Sequence, residues 1–399
     1  MNYNNPIPSS ITRTIRIVCA VLFVAFSFSY LFFINNDLMA QAQYVFSDGR
    51  TVYSRFLGAL IITFTLLFIQ WCVAHIIDLR GRKYAITYFP SLLIMAVITS
   101  LNRNTIEYFS LGGWAWALPL LLLLFAGVMW VIHYFPDRSV LDSDYTLSRY
   151  MWPNLCTLLV MMLLCGLMSS ADDVYLYELK TERLIIDEDY EAAGKVGRKS
   201  LSTSRRLNEL RVYALAESGE LGNHLFDTPQ PWGPEGLIDL SDTVSRYTRF
   251  NSRDIQQRLG ATAGETVGSS ARYIELLHEH DATSTNRLLG DYYLSLLILQ
   301  GHYHKFSRTI RQYYDVSCID SILALPTIYR QALLLEAQSL GNDSLVNFSD
   351  TITLQSYNKF QSIMEEESDT TARRNRSWKD FRTTLWWYDK YMKESFMHQ

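Results

Sequence analysis

The sequence predicts an all-α chain: a transmembrane helical bundle of about five spans over residues 1–170, then a solenoid of paired helices over residues 171–399. Three observations carry this expectation. Up to Ser170, long apolar runs alternate with short polar loops that hold ten Lys/Arg and seven Asp/Glu. Beyond it charge is spread throughout, with 26 basic and 33 acidic residues. That second part also repeats the 3.6-residue period of helices, with no run of strand-type alternation.

A hydrocarbon core about 30 Å thick takes roughly 20 apolar residues in a helix. Five stretches approach that length: Ile17–Ile34, Phe56–Ile77, Tyr84–Leu101, Trp114–Phe135 and Trp152–Ser169. The third is short and carries Pro90, which a membrane helix tolerates when neighbours satisfy the freed carbonyl. Trp114, Trp116, Trp130, Tyr134 and Trp152 sit near span ends, where amphipathic rings prefer the headgroup layer. Ala40-Gln41-Ala42 resembles a signal cleavage site, but the preceding apolar run exceeds a signal core and favours a retained anchor.

Basic residues set the orientation. Arg13, Arg16, Arg80, Arg82, Lys83, Arg138 and Arg149 fall in one set of loops, and only Arg50, Arg55 and Arg103 in the other. The N-terminus is therefore expected in the cytoplasm. An odd number of crossings exports everything after Ser170, whereas a re-entrant third stretch would leave it inside.

The polar part is long enough to bury its own core. Its net charge of −7 excludes the basic stripe of a nucleic-acid binder. Cys19, Cys72, Cys156 and Cys165 lie in apolar spans, which leaves Cys318 without an intradomain disulfide partner.

Helical stripes recur at Leu289, Tyr292, Leu296 and Leu299, and again at Tyr303, Phe306, Ile310 and Tyr313, split by the turn Gln300-Gly301-His302. Pro326 opens a helix over Thr327–Leu340, which Gly341-Asn342-Asp343 closes. Turn-then-helix patterns at Ile185–Ala193 and Glu217–Leu221 lie about 31 residues apart, near the 34-residue period of tetratricopeptide arrays. Asn251 caps a predicted helix Ser252–Leu259, and another is expected over Ala271–His280. Phe226–Gly236 is rich in Pro and Gly and reads as an ordered or mobile loop.

Tyr190–Gly197, Tyr213–Ala216, Gly222–Phe226, Leu325–Leu333 and Thr384–Tyr388 resemble recurring patches of an uncharacterised bacterial family of multi-pass membrane proteins with a tetratricopeptide-like exported domain. That resemblance implies a place in the inner membrane of a bacterial cell envelope. It transfers no functional residue.

Several groups invite a chemical reading. His278 with His280, and His302 with His304, stand two apart, whereas a zinc pair on a helix needs a spacing of four; no metal or other cofactor is expected. Ionisable residues inside spans would mark a transport path, yet only His75, Asp78 and His133 occur, all near cytoplasmic ends. Asp37, Asp48, Glu107, Asp172 and Asp173 belong to the outer loops. Of these, Asp37, Asp48, Asp172 and Asp173 are the candidate catalytic set of an envelope-modifying enzyme that uses a lipid-linked sugar, because carboxylates hold cations or act as bases. Near the C-terminus Trp378, Phe381, Leu385, Tyr388 and Met392 share a helical face with Trp386 and Trp387, beside Arg373, Arg374, Arg376, Lys379 and Arg382. That pattern fits either a lipid-docking helix or a cap on the helical stack, and the cap is favoured. No serine triad, phosphate loop or dinucleotide fingerprint occurs. The expected function is a non-enzymatic membrane-anchored scaffold, in contact with the lipid bilayer and binding an envelope protein or peptide. The enzyme is the alternative.

Overall fold

The computed structural model describes residues 9–77, 79, 81–107, 110–134, 147–169, 172–240, 248–262, 267–280, 286–341 and 350–393. Asp78, Arg80, Arg138, Ser170, Asn342 and Asp343 lie outside these residues, as do the side chains of Glu107 and His133. The described residues are helical, with no strand. The chain divides into two compact units, residues 1–176 and 177–399, so the boundary falls a few residues after the expected one.

In the first unit α1 (Ser9–Ser29) runs into a π-helical turn, Tyr30–Ile34. Then come α2 (Asn36–Phe46), α3 (Arg55–Ile77), a 3-10 segment Gly81–Tyr88, α4 (Phe89–Thr99), α5 (Arg103–Glu107), α6 (Trp114–Tyr134) and α7 (Leu147–Leu167). Among the described residues four helices are long and apolar enough to cross a membrane: Ser10–Ile34, Arg55–Ile77, Trp114–Ile132 and Leu147–Leu167. Phe64, Phe68, Trp71, Trp116, Leu123 and Trp130 are exposed on them, as expected of helices whose solvent is lipid. Gln41 and Ala42 of the Ala40–Ala42 stretch are buried within α2.

The third expected span takes another form. Its α-helical part has only 11 residues, and the eight before it are 3-10. Both parts are largely buried among their neighbours. Gln70 of α3 donates to Tyr84 Oη (3.2 Å) and Thr87 Oγ1 (3.0 Å), and Ser91 donates to the Leu66 carbonyl (2.8 Å). Residues 81–99 therefore run antiparallel to α3. On the other side Asn154 of α7 accepts from Ala85 N–H (2.7 Å) and donates to the Gly81 carbonyl (2.8 Å). Fifteen residues on, Ser169 donates to the Thr99 carbonyl (3.2 Å), so residues 81–99 run parallel to α7 along its length.

These contacts define two ends of the bundle. At one, Arg16 lies over the Tyr84 ring (5.5 Å) and Arg82 over Tyr150 (5.6 Å). At the other, Arg55 donates to the Phe32 carbonyl (2.7 Å), and Arg103 lies over Tyr175 (5.6 Å).

The second unit holds most of α8 (Asp173–Ile186) and then α9 (Tyr190–Lys195), α10 (Arg205–Glu217), α11 (Leu221–His224), a 3-10 turn Gly233–Gly236, α12 (Ser252–Leu259), α13 (Ser270–His280), α14 (Arg287–Gln300), α15 (Tyr303–Tyr313), α16 (Ile319–Leu323), α17 (Thr327–Leu340), α18 (Thr351–Glu366), α19 (Thr370–Phe381) and α20 (Leu385–Tyr391). The helices expected at 252–259 and 327–340 occur with those bounds, and Asn251 and Asp254 form a capping box at the first. Gly301 adopts φ +77° at the α14–α15 turn, a left-handed position that suits glycine.

Every residue from Leu289 to Leu299 is buried, so α14 is a core helix rather than a surface one. Asp291 lies on it, fully buried. Its Oδ1 accepts from Tyr314 (2.6 Å) and Tyr329 (2.9 Å), and burial holds its carboxyl above the usual range. A second polar network ties down the irregular segment after α11. Glu209 accepts from Arg206 (2.7 Å), Ser252 (2.9 Å) and the Asp239 N–H (3.0 Å). Glu235 accepts from Ser269 Oγ (2.6 Å) and Ser270 N–H (2.9 Å). The Pro/Gly-rich loop is thus an ordered one.

The C-terminal aromatics face inward. Phe381, Trp386 and Trp387 pack with Leu334, Tyr357, Phe360 and Ile363, while Leu385 and Tyr388 join the main core. Of the described aromatics in this segment, only Trp378 remains well exposed. Most of that face is therefore a cover for the unit's own core, which leaves little of it for lipid.

Candidate functional site

The four aspartates singled out in the sequence do not form a centre. Asp37 opens α2 and accepts from the Asn36 carboxamide (3.2 Å). Asp48 sits in the turn after α2 with φ +53°, before Gly49 at φ +74°. Asp172 caps α8, its Oδ1 accepting from the Tyr175 N–H (3.1 Å), and Asp173 is exposed in the first turn. Such carboxylates complement helix starts. Among the described residues no group of three or more His, Cys, Asp or Glu is gathered to hold a metal ion.

Two of the histidines, His278 and His304, are engaged as structural groups. His278 Nδ1 lies 2.9 Å from Tyr313 Oη, and its ring stacks on Tyr293 with centroids 3.8 Å apart. Burial and then Lys305 hold its imidazole below the usual value. His304 Nδ1 pairs with Glu336 (3.0 Å).

A concave feature lies in the second unit, where two stretches that read separately in the sequence come together. One is the loop from Phe226 to Gln230; the other is the basic, aromatic C-terminal segment. They enclose a cavity of about 200 Å3, with the turn after α9 as a third wall that supplies Arg198 and Leu201. A second, more polar cleft of about 340 Å3 adjoins it, lined by Glu191, Lys195, Ser218, Glu220 and His224. Arg198 and Asp227 line both, and their ion pair (2.6 Å) divides the groove.

Local chemistry fixes each wall. Gly197 adopts φ +64°, and a Cβ there would meet the Arg211 guanidinium and the Tyr177 ring, so only glycine lets the chain turn outward before Arg198. Arg211, almost fully buried, donates to the Val196 carbonyl (2.8 Å), and burial pulls its pKa down to about 10. On the loop, His224 Nδ1 lies 2.7 Å from Asp227, and Gln230 donates to the Leu225 carbonyl (2.8 Å). Phe226 stacks on Tyr388 with centroids 4.8 Å apart, which fastens the loop to α20.

On α19 and its C-cap, Arg374, Trp378 and Arg382 follow at intervals of four residues and share one face. Arg382 lies 4.8 Å over the Trp378 ring, a cation–π contact. Among the described residues no carboxylate pairs with Arg374 or Arg382, whereas the neighbouring Arg376 is engaged by Glu366 (3.2 Å). Asp227 already offsets Arg198, so the cavity keeps a net positive charge. Two of its lining residues each carry a polar atom that is closed off from solvent and has no hydrogen-bond partner among the described residues, Trp387 Nε1 and Gln230 Oε1.

The sequence displayed both halves of this site but not their meeting. Arg374, Trp378 and Arg382 were visible as a basic, aromatic helix face, and Asp227 to Gln230 as a turn-rich stretch. Arg198 carried no signal of its own. Compared with family models, with curated proteins and with solved structures, the chain matches none of them.

Proposed function

We propose that this chain is a membrane-anchored scaffold of the bacterial cell envelope, whose C-terminal helical unit holds a protein or peptide partner in the groove around Arg198 and Asp227. The observation that carries this reading is the groove itself: an arginine- and aromatic-lined cavity with unmatched positive charge. Arg and Trp are the residues most enriched where partners bind tightly. The spans add support, since Gln70, Thr87 and Asn154, polar side chains buried among them, bond to each other or to the backbone and carry no charge. An anchor needs no more than that, whereas a transport path needs ionisable groups.

In this reading residues 81–99 complete a fifth crossing. Eight residues at about 2.0 Å and eleven at about 1.5 Å reach about 32 Å, enough for a core about 30 Å thick. With the Arg16 and Arg82 end in the cytoplasm, the C-terminal unit lies outside. The tetratricopeptide-like reading of that unit draws on the hairpins α9–α10 and α14–α15, with α17 joining the second to α18. The enzymatic alternative draws nothing from the four aspartates, each of which sits at a helix end or a turn.

A photo-crosslinking side chain tests the scaffold reading in cells. Placed at Leu201, an exposed residue of the cavity wall, it should give a discrete adduct to one protein. Placed at Ile352, equally exposed but outside the cavity, it should not. Identical patterns at the two positions would remove the scaffold reading. Loss of a lipid-linked sugar activity on changing Asp37, Asp48, Asp172 and Asp173 together to Asn would replace it with the enzyme.

A further inference from the structure

We infer that the cavity between the 226–230 loop and α19 receives an acidic peptide segment, which sets a carboxylate between Arg374 and Arg382 and an adjacent apolar side chain against Phe226 and Met392. The inference rests on the partner-binding reading above and gives that partner its chemistry.

Charge comes first. Arg374 and Arg382 face the same cavity, and among the described residues neither has a carboxylate partner. A guanidinium fork matches a carboxylate with two parallel hydrogen bonds, the geometry that makes Arg–carboxylate pairs both strong and selective. The wall between them is apolar: Phe226, Pro229, Trp387 and Met392. A ligand that satisfies both surfaces carries a negative group next to a hydrophobic one.

Size then favours a peptide. At about 200 Å3 the cavity is smaller than the roughly 300–1,000 Å3 of small-molecule sites. It suits one or two side chains of a chain laid across it, and the neighbouring cleft beyond Arg198–Asp227 continues the path. An anionic phospholipid headgroup shares the negative charge, so the vesicle arm of the test separates it from a peptide. A neutral sugar wants free ring faces, but Tyr388 is stacked under Phe226 and Trp378 under Arg382.

The test uses the full chain in a neutral detergent and two fluorescein-labelled decapeptides, one alternating Glu with Leu and its Gln–Leu twin, read by anisotropy. The glutamate peptide should bind at least tenfold more tightly than the twin. In the double variant Arg374→Gln, Arg382→Gln that preference should vanish without a change in Tm, since both side chains are exposed. The variant Lys379→Gln, Lys390→Gln removes equal charge from α19 and α20 outside the cavity and should keep it. Equal binding of the two peptides, or an undiminished preference in the arginine variant, overturns the inference. So does displacement of the peptide by phosphatidylglycerol vesicles but not by phosphatidylcholine vesicles, which would assign the arginines to a membrane surface. The partner reading stands or falls separately: an adduct at Leu201 with no glutamate preference removes only the acidic-peptide inference. A glutamate preference with no adduct at Leu201 removes only the protein partner.

Discussion

Asn154 accepts a hydrogen bond from the backbone N–H of Ala85 at 2.7 Å, with both groups buried in the helical bundle. The same carboxamide donates to the carbonyls of Gly81 and Tyr150. One side chain thus satisfies backbone groups that the 3-10 segment leaves free, and it fastens residues 81–88 to α7. Inside a bilayer no water would replace it. Asn154→Leu is expected to cost about 1–3 kcal/mol. It should lower the thermal midpoint of the detergent-solubilised protein, while Thr65→Val, on an exposed helix face, should leave it unchanged.

The proposed crossing by residues 81–99 makes a labelling prediction. In a cysteine-free background, Asp48→Cys and Ser110→Cys should both react with a membrane-impermeant maleimide added to intact cells, and Lys83→Cys should react only after permeabilisation. Reaction at Asp48→Cys without reaction at Ser110→Cys would mean that residues 81–99 turn back.

Asp291 predicts an asymmetry between two substitutions. It is fully buried and accepts from Tyr314 and Tyr329. Burial raises its pKa, so its contribution is greatest below the ordinary carboxylate value and is lost as pH rises through the raised one. Asp291→Asn keeps an acceptor for both tyrosines and loses only the contact with Arg287 (3.9 Å), so it should cost less than Asp291→Leu. Asp291→Leu orphans two tyrosine hydroxyls, at about 1–3 kcal/mol each. Chemical denaturation followed by tryptophan fluorescence distinguishes the two.

The C-terminal aromatics should split by burial. Trp386 is 3 % exposed within the Leu334–Phe360 cluster, and Trp386→Ala should cost about 3–5 kcal/mol. Trp378 is 39 % exposed, and Trp378→Ala should change stability by no more than about 0.5 kcal/mol. Removal of residues 377–399 should abolish cooperative unfolding of the second unit. A truncated protein that unfolds normally would contradict the covering role.

His278 supplies a pH dependence. Its folded pKa lies below the ordinary value of 6.5, through burial and then Lys305, so the unfolded chain binds the proton more readily. Stability is then full above 6.5 and declines as pH falls from 6.5 towards the folded value. His278→Phe keeps the stack on Tyr293 but cannot titrate. The drop in Tm between pH 7.5 and 5.5 should be smaller in that variant.

Hydropathy and charge, read along the chain, were enough for the all-helical class, for four of the membrane helices and for several soluble ones, including Ser252–Leu259 and Thr327–Leu340. These properties are local: a helix of about 20 apolar residues or a well-capped amphipathic one declares itself through its own side chains. The third stretch did not, because its length comes from a 3-10 segment stabilised by Gln70 and Asn154, partners 14 and 69 residues away from the groups they bind. The C-terminal aromatic face was equally open in the sequence. Trp386 could have met lipid or core, and packing against Tyr357 and Phe360 decided for core. The candidate site lies furthest from local reading. Arg198, Asp227 and Arg382 are unremarkable where they stand in the chain, and they become a site only when α9, the 226–230 loop and α19 converge. An unpaired charge or an orphaned donor is a property of what surrounds it, and tertiary structure alone supplies the surroundings.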